Sequence, residues 1–462
     1  VSRTRGPLRR CRDNPRYFED ADGRFVWLTG SHTWANLATD QGNAAFDFTS
    51  YVRWAARLGH TMIRGWNWDL PHSRQGWNGG PFDFAPSPFA RAGPGLATDG
   101  RPRFDLTRPE PAFFDRLRDR VLEAGESGLY VSIMLFQGFA WQFNRADDDG
   151  MPYDGRNNVN GVDAGRAGAA ATLGDPAVLA AQERYVRWVV DAVGDLDNVL
   201  YEIANEAAPS STTWQHHLIG VLRTEQERRG MRHPIGMTHQ FDGGSLDALR
   251  TSGADWISPD CDEPTRRAPP PAEGEQVVVY DSDHGYDWRT LRSQPASEQR
   301  AWVWRCLLRG AGGVLFMDPF LARIEIDGVV RNAPRGRNPG DPAFGVALDP
   351  FWNPLREALG HARRFADALD LRTMLPRPGL ADGGWCLADP GRSYAVFVPT
   401  GAAARIRLEP GVYDVRRFDP ATGSWHSVEE VTGVGTAMWL ERRIAGDAAF
   451  VVTRRGVSTP RW

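Results

Sequence analysis

Lysine is absent: all 54 basic residues of this 462-residue chain are arginine. That excludes chemistry through a lysine Schiff base, lysine-linked pyridoxal phosphate included. It also excludes a P-loop, which needs lysine to reach its phosphates. A coding bias towards GC-rich codons is the expected cause. Cysteine is scarce. Cys11, Cys261, Cys306 and Cys386 are scattered, with no Cys-x-x-Cys spacing for zinc or redox work. Cys306 lies in an apolar helical run and reads as core, and a disulfide through Cys11 stays open. No stretch approaches the roughly 20 apolar residues that cross a bilayer. The net charge is only −4, which indicates no general attraction to nucleic acid or anionic lipid. A soluble protein with no nucleic-acid partner, no membrane partner and no cofactor is expected. The Arg-rich opening, residues 3–12, has no hydrophobic signal core after it. A secreted and a cytoplasmic location both stay open, as does the oligomeric state.

Strand-like and helix-like segments alternate up to about Leu369. Apolar runs at 25–30, 61–66, 129–135, 198–204, 234–239, 254–258, 276–280 and 313–317 read as strands. Helical spacing follows most of them, as at 46–58, ended by Gly59, and at 176–193, with proline in its first turn. Eight strands, each followed by a helix or its remnant, predict a (β/α)8 TIM barrel over residues 1–372. A doubly wound open sheet is the alternative, but no Gly-x-Gly-x-x-Gly turn supports it. Two long loops, 67–108 and 137–174, interrupt the rhythm, and loops of that length are usually functional. Beyond Pro376-Arg377-Pro378-Gly379 the texture changes to short alternating segments at 385–388, 394–399, 404–408, 411–418 and 448–453. They predict a small antiparallel β-sandwich over residues 373–462.

The polar residues with chemical promise sit just after strands, where barrel enzymes place their sites. The fourth run ends in Asn205-Glu206. A carboxylate at the mouth of a buried strand loses hydration, and its pKa rises towards that of a general acid. The neighbouring amide both donates and accepts hydrogen bonds, as a sugar hydroxyl requires. The bland alternative is a strand that ends in a hydrophilic turn. The seventh run ends in Asp281-Ser282-Asp283-His284, where alternation points both aspartates the same way. A carboxylate from each of two strands across one mouth is the pair that glycoside hydrolysis uses. Asp281, Asp283 and His284 also form a plausible oxygen and nitrogen set for a metal, the minority reading. His32, His239 and His284 each follow a strand, and either bind sugar, tune a carboxylate or cap a turn. Asp260, Asp262 and Asp318 either bind substrate or cap helices. Asp147-Asp148-Asp149 reads as a solvated loop. Eighteen tryptophans is a high number. Trp34, Trp66, Trp68, Trp77, Trp141, Trp214 and Trp288 fall outside helical patterns and offer rings for sugar stacking, with loop-anchoring core the alternative for about half of them.

The chain resembles the apiosidase-like glycoside hydrolases of the large retaining (β/α)8-barrel clan. Phe25-Val26-Trp27-Leu28-Thr29-Gly30-Ser31-His32-Thr33-Trp34 is similar to the family's opening strand, and residues 114–136, with Gly128-Leu129-Tyr130-Val131, to its third βα unit. Val396-Phe397-Val398-Pro399-Thr400-Gly401 and Phe418-Asp419-Pro420-Ala421-Thr422-Gly423-Ser424-Trp425 resemble its C-terminal β-sandwich, which bears a collagen-binding label. The resemblance implies that Glu206 is the acid/base, that Asn205 holds a substrate hydroxyl and that Arg64 orients the nucleophile. At strand seven the family often has Glu followed by Tyr-Glu, whereas this chain has Asp283 and then Tyr286-Asp287. Asp283 is favoured over Asp281 as nucleophile. Gln137 and Trp141, like His32, Trp34, Trp66, Trp68, His239, His284 and Trp288, are expected at the substrate. The expected activity is cleavage of a glycosidic bond in a polysaccharide or glycoside, by retention. A catalytically silent carbohydrate-binding barrel and a metal-dependent hydrolase are the alternatives.

Overall fold

The computed structural model describes residues 4–33, 36–37, 48–73, 82–143, 150–165, 167–284, 292–318, 323–326, 329–332, 349–402 and 404–457. Eight parallel strands form one sheet: β1 (Leu28–His32), β2 (Met62–Trp66), β3 (Tyr130–Phe136), β4 (Val199–Ala204), β5 (Ile235–Thr238), β6 (Trp256–Ser258), β7 (Val277–Asp281) and β8 (Gly313–Met317). Ladders run in the order β1-β8-β7-β6-β5-β4-β3-β2. The remaining seam, between β1 and β2, is narrow: the Thr61 amide donates to the Thr29 carbonyl at 2.8 Å. Gly30 makes that approach possible, because a Cβ there would lie 1.9 Å from the Met62 carbonyl oxygen. The result is a nearly closed (β/α)8 barrel.

Its helices are α1 (Phe48–Leu58), α2 (Pro111–Glu126), α3 (Pro176–Val193), α4 (Thr212–Arg228), α5 (Leu246–Arg250), α6 (Glu263–Arg267), α7 (Ala296–Leu308) and α8 (Asn353–Ala366). Local chemistry sets their ends. Asp175 caps α3 by accepting from the Ala177 and Val178 amides, with Pro176 in the first turn. Ser245 caps α5 through the Ala248 amide. Every residue of β4 is buried, as a strand covered on both faces requires. None of the described helices is long and apolar enough to cross a membrane.

Three local expectations are corrected. The run 25–30 is two strands: Phe25–Val26 belongs to a small N-terminal antiparallel sheet with Arg9–Arg10 and Phe18–Glu19, and only Leu28–His32 enters the barrel. The break falls at Trp27, whose Nε1 donates to the Ala311 carbonyl at 2.8 Å. The long loop after β2 contains a hairpin, Phe89–Leu96 with Pro102–Pro109. Phe89, Phe104 and Leu106 anchor it in the core, and the Arg91 guanidinium lies 3.9 Å from the Phe104 ring centroid. The loop after β3 opens with a short helix, Gly138–Phe143. All four cysteines are buried and free.

The C-terminal region is two antiparallel sheets. A six-stranded one runs Leu375–Pro376, Trp385–Asp389, Ser393–Val398, Ala448–Arg454, Gly411–Asp419, Ser424–Gly433. A three-stranded one runs Ala381–Asp382, Arg405–Arg407, Ala437–Trp439. Cys386, Val396, Ile406, Phe450 and Val452 are buried in the core between them. The larger sheet's other face meets the barrel: Trp304 of α7 stacks on Phe397 at 5.5 Å, and Phe365 of α8 on Trp425 at 5.7 Å.

Candidate active site

Alternation along the strands builds the site. Leu28, Met62, Tyr130, Leu200, Trp256, Val277, Val279 and Leu315 form the apolar plug of the barrel. Two residues further along the same inward-facing rows come Arg64 on β2, Glu202 on β4 and Asp281 on β7. Arg64 is 1% exposed and becomes the hub. Its Nε and Nη2 donate to the two Glu202 oxygens at 2.9 and 2.5 Å. Nη2 also donates to Asn205 Oδ1 at 2.7 Å. Nη1 reaches Asp283 Oδ2 at 2.6 Å and Asp281 Oδ2 at 3.4 Å. A planar guanidinium with five donors in a fixed fork can serve several carboxylates at once. Ser282, between the aspartates, instead accepts from the Met317 amide of β8.

The two aspartates are held differently. His32 Nε2 lies 3.0 and 2.9 Å from the Asp281 oxygens. Trp66 Nε1, which can only donate, makes a hydrogen bond to His32 Nδ1 at 2.9 Å. The imidazole proton therefore sits on Nε2 and points at Asp281. Burial works against the Asp281 charge, but His32 and then Arg64 outweigh it and hold this carboxyl well below its ordinary value. Asp283 has burial as its largest influence, with Arg64 opposing and Asp281 reinforcing, and is pushed up to about 6. Glu206 is raised well above the ordinary carboxyl value, first by burial and then by Asp283, against Arg64. Among the described residues none hydrogen-bonds to its carboxyl group.

Glu206 has φ of 44°, in the left-handed region that costs a non-glycine residue about 1 kcal/mol or more. Gln142 Nε2 donates to its carbonyl at 2.6 Å. Gly138 lets the β3 loop come close, since a Cβ there would lie 2.4 Å from the Ala207 Cβ. Asn205 donates from Nδ2 to Gln137 Oε1 at 3.0 Å, so its amide is oriented from both ends. The Gln137 amide donates to Asp69 Oδ1 at 3.0 Å. Asp69 is wholly buried, and burial raises it to about 7. Glu202, Gln142 and Asp69 were not singled out from sequence. The available signal was a charge inside an apolar strand for Glu202 and an acid three residues beyond a strand end for Asp69.

The other expected residues divide. His284 is fully buried, with Nδ1 2.8 Å from Ser258 Oγ. His239 lies 6.4 Å from it, ring to ring, and with Asp260 lines a cavity of about 200 Å³. Burial lowers His239 against the pull of Asp260, and burial raises Asp260 against His239. Asp262 caps α6 and Asp318 is locked bidentately on Arg356, so both are structural. The expected open stacking rings are corrected for Trp66, Trp68, Trp141 and Trp214, each at most 2% exposed. Trp66 stacks on His32 and Trp68 on Phe84, and Trp141 packs edge-on against Phe136. Trp66 walls the polar cluster, with the Arg64 guanidinium 5.1 Å from its ring centroid, and the large apolar area of these indoles is worth more against other rings than against water. Trp34, Trp77, Trp288, Asp147-Asp148-Asp149 and Tyr286-Asp287 lie outside the described residues. Among the described residues no three His, Cys, Asp or Glu side chains converge as metal ligands. Asp281 and Asp283 turn to a guanidinium and His284 to a hydroxyl.

No protein-family profile matches the sequence, and no curated protein matches it. Solved structures do. One titled simply as a glycoside hydrolase aligns over 98% of this chain and 98% of its own, with a TM-score of 0.60 at 10% identity. A glycoside hydrolase family 5 structure from Bacteroides vulgatus aligns over 97% of this chain and 94% of its own, with a TM-score of 0.61 at 12% identity. At such identities the likeness is one of fold.

Proposed function

We propose that the chain is a glycoside hydrolase that cleaves a polysaccharide or glycoside with two carboxyl groups and retains the anomeric configuration. The observation that carries this is the pairing of Glu206 and Asp283. At the barrel mouth Glu206 is buried and Asp283 half-buried, with a side chain only 6% exposed; both are raised, and each raised group has an acid neighbour. In this reading Glu206, protonated at working pH, gives its proton to the leaving glycosidic oxygen. Asp283, ionised and aimed by Arg64, attacks the anomeric carbon and forms a glycosyl ester. Glu206, now a carboxylate, then takes a proton from water as that water cleaves the ester. Asp281 stays charged throughout, because His32 and Arg64 hold it so, and it fixes Arg64 and the turn that carries Asp283. Its Oδ1 accepts from the Asp283 amide at 3.0 Å. Asn205 offers its remaining N–H to a substrate hydroxyl.

The glycoside hydrolases of like fold support the reading, and the segments quoted above support its narrower form, an apiosidase-like enzyme with residues 1–372 as catalytic domain and 373–462 as sandwich. The test is a screen of aryl glycosides and plant and bacterial polysaccharides with parent and Glu206→Gln. Loss of turnover by a folded variant is expected, about 100-fold or more on substrates with poor leaving groups. Unchanged turnover on those substrates removes Glu206 from the chemistry.

A further inference from the structure

Among the described residues Trp439 is the one tryptophan with an exposed ring, at 65%. It sits on an outer strand of the three-stranded C-terminal sheet, Ala381–Asp382, Arg405–Arg407, Ala437–Trp439. The registers are Ala381 with Ile406 and Asp382 with Arg405, then Arg405 with Trp439 and Ile406 with Met438. Alternation turns Ala381, Ile406 and Met438 into the sandwich core, where all three pack. The same alternation puts Asp382, Arg405 and Trp439 side by side on the outer face. Neighbouring strands are about 4.8 Å apart, so the row spans about 10 Å.

The chemistry of that row is specific. The Arg405 guanidinium lies 5.3 Å from the Trp439 ring centroid and steadies the indole against the sheet. Arg405 Nη1 is 3.5 Å from Asp382 Oδ2, a loose pair. That spacing leaves guanidinium donors and carboxylate lone pairs for another molecule. Asp382 and Arg405 offset each other within the row, with exposed Arg407 two residues along the same strand, and a hydroxyl-rich partner finds donors and acceptors together there. A flat indole beside such a pair suits a ring that is apolar on its face and polar at its rim.

We infer that Asp382, Arg405 and Trp439 form a surface binding site for a neutral polysaccharide, one sugar ring stacked on Trp439 and the next hydrogen-bonded to Arg405 and Asp382. The inference takes its ligand class from the glycosidase reading and otherwise stands on the sheet alone. The test uses full-length Glu206→Gln, which leaves the polymer uncut, with insoluble cellulose, xylan, mannan and chitin in sedimentation assays. At least one polymer is expected to retain this protein, and adding Trp439→Ala is expected to weaken the association about tenfold. Trp439→Ala in the otherwise unchanged enzyme is expected to hydrolyse a small aryl glycoside at the parent rate. Binding unaffected by Trp439→Ala overturns the site, as does failure of all four polymers to retain the protein. So does a self-association in analytical ultracentrifugation that Trp439→Ala abolishes, which assigns the row to a second copy of the chain. Trp439-dependent binding by a chain that cleaves no glycoside sinks the catalytic reading and leaves this site standing.

Discussion

Replacing Arg64 with methionine removes the one cation among the described residues that touches Glu202, Asp281 and Asp283 together, while keeping much of the side-chain volume. Two effects follow from the geometry. Breaking a buried ion pair by deleting one partner costs about 3–5 kcal/mol, because the remaining charges stay buried and unpaired. Arg64 is also the strongest influence that lowers Asp283. Two unit charges about 4 Å apart at an effective dielectric of about 20 interact by roughly 4 kcal/mol, equivalent to a ceiling of about 3 pKa units. Asp283 in the parent is already raised to about 6. Catalysis needs it ionised, so the parent's kcat/KM is expected to rise as pH passes through about 6. In Arg64→Met that rise moves to higher pH, by at least about 1 unit. The assay is kcat/KM for an aryl glycoside from pH 4 to 9, with urea unfolding to record stability. Arg64→Lys keeps the charge but loses the fork. It is expected to keep the acidic limb near the parent's while kcat falls. An Arg64→Met enzyme that is folded and whose acidic limb has not moved refutes the reasoning.

Two further outcomes are expected. Asp69 is buried and raised to about 7, so the folded state holds a proton that the unfolded state releases near pH 4. Its contribution to stability is full below the unfolded value and is lost as pH climbs to about 7. Asp69→Asn keeps an oxygen for the Gln137 amide, and its unfolding free energy is expected to fall less than the parent's between pH 4 and 7. Equal slopes for the two proteins contradict that sign. Treatment with a strong chelator is expected to leave glycoside hydrolysis unchanged, whereas loss of activity restored by a divalent ion points to the metal-dependent alternative.

Much of this architecture was readable from the chain because barrel strands, buried on both faces, appear as short apolar runs. Arg64, Asn205, Glu206, Asp281 and Asp283 stood out as polar residues in or directly after such runs. What each polar group touches was hidden. Arg64 lies 138 positions from Glu202, and no local pattern encodes that distance. The direction of a ring was hidden too: Trp66 and Trp68 follow the strand pattern but turn into the protein. The hairpin at Phe89–Leu96 was masked by its own Gly and Pro. The strand Ser424–Gly433 is an outer strand with polar residues on both faces, so it lacks the alternation that marks a half-buried one.

The division of labour between the two aspartates is tested by azide. Asp283→Gly is expected to lose aryl glycoside hydrolysis and to regain turnover with added azide, giving a glycosyl azide of inverted anomeric configuration by NMR. Rescue confined to Asp281→Gly, or full activity in Asp283→Gly without azide, contradicts the assignment of Asp283 as the nucleophile.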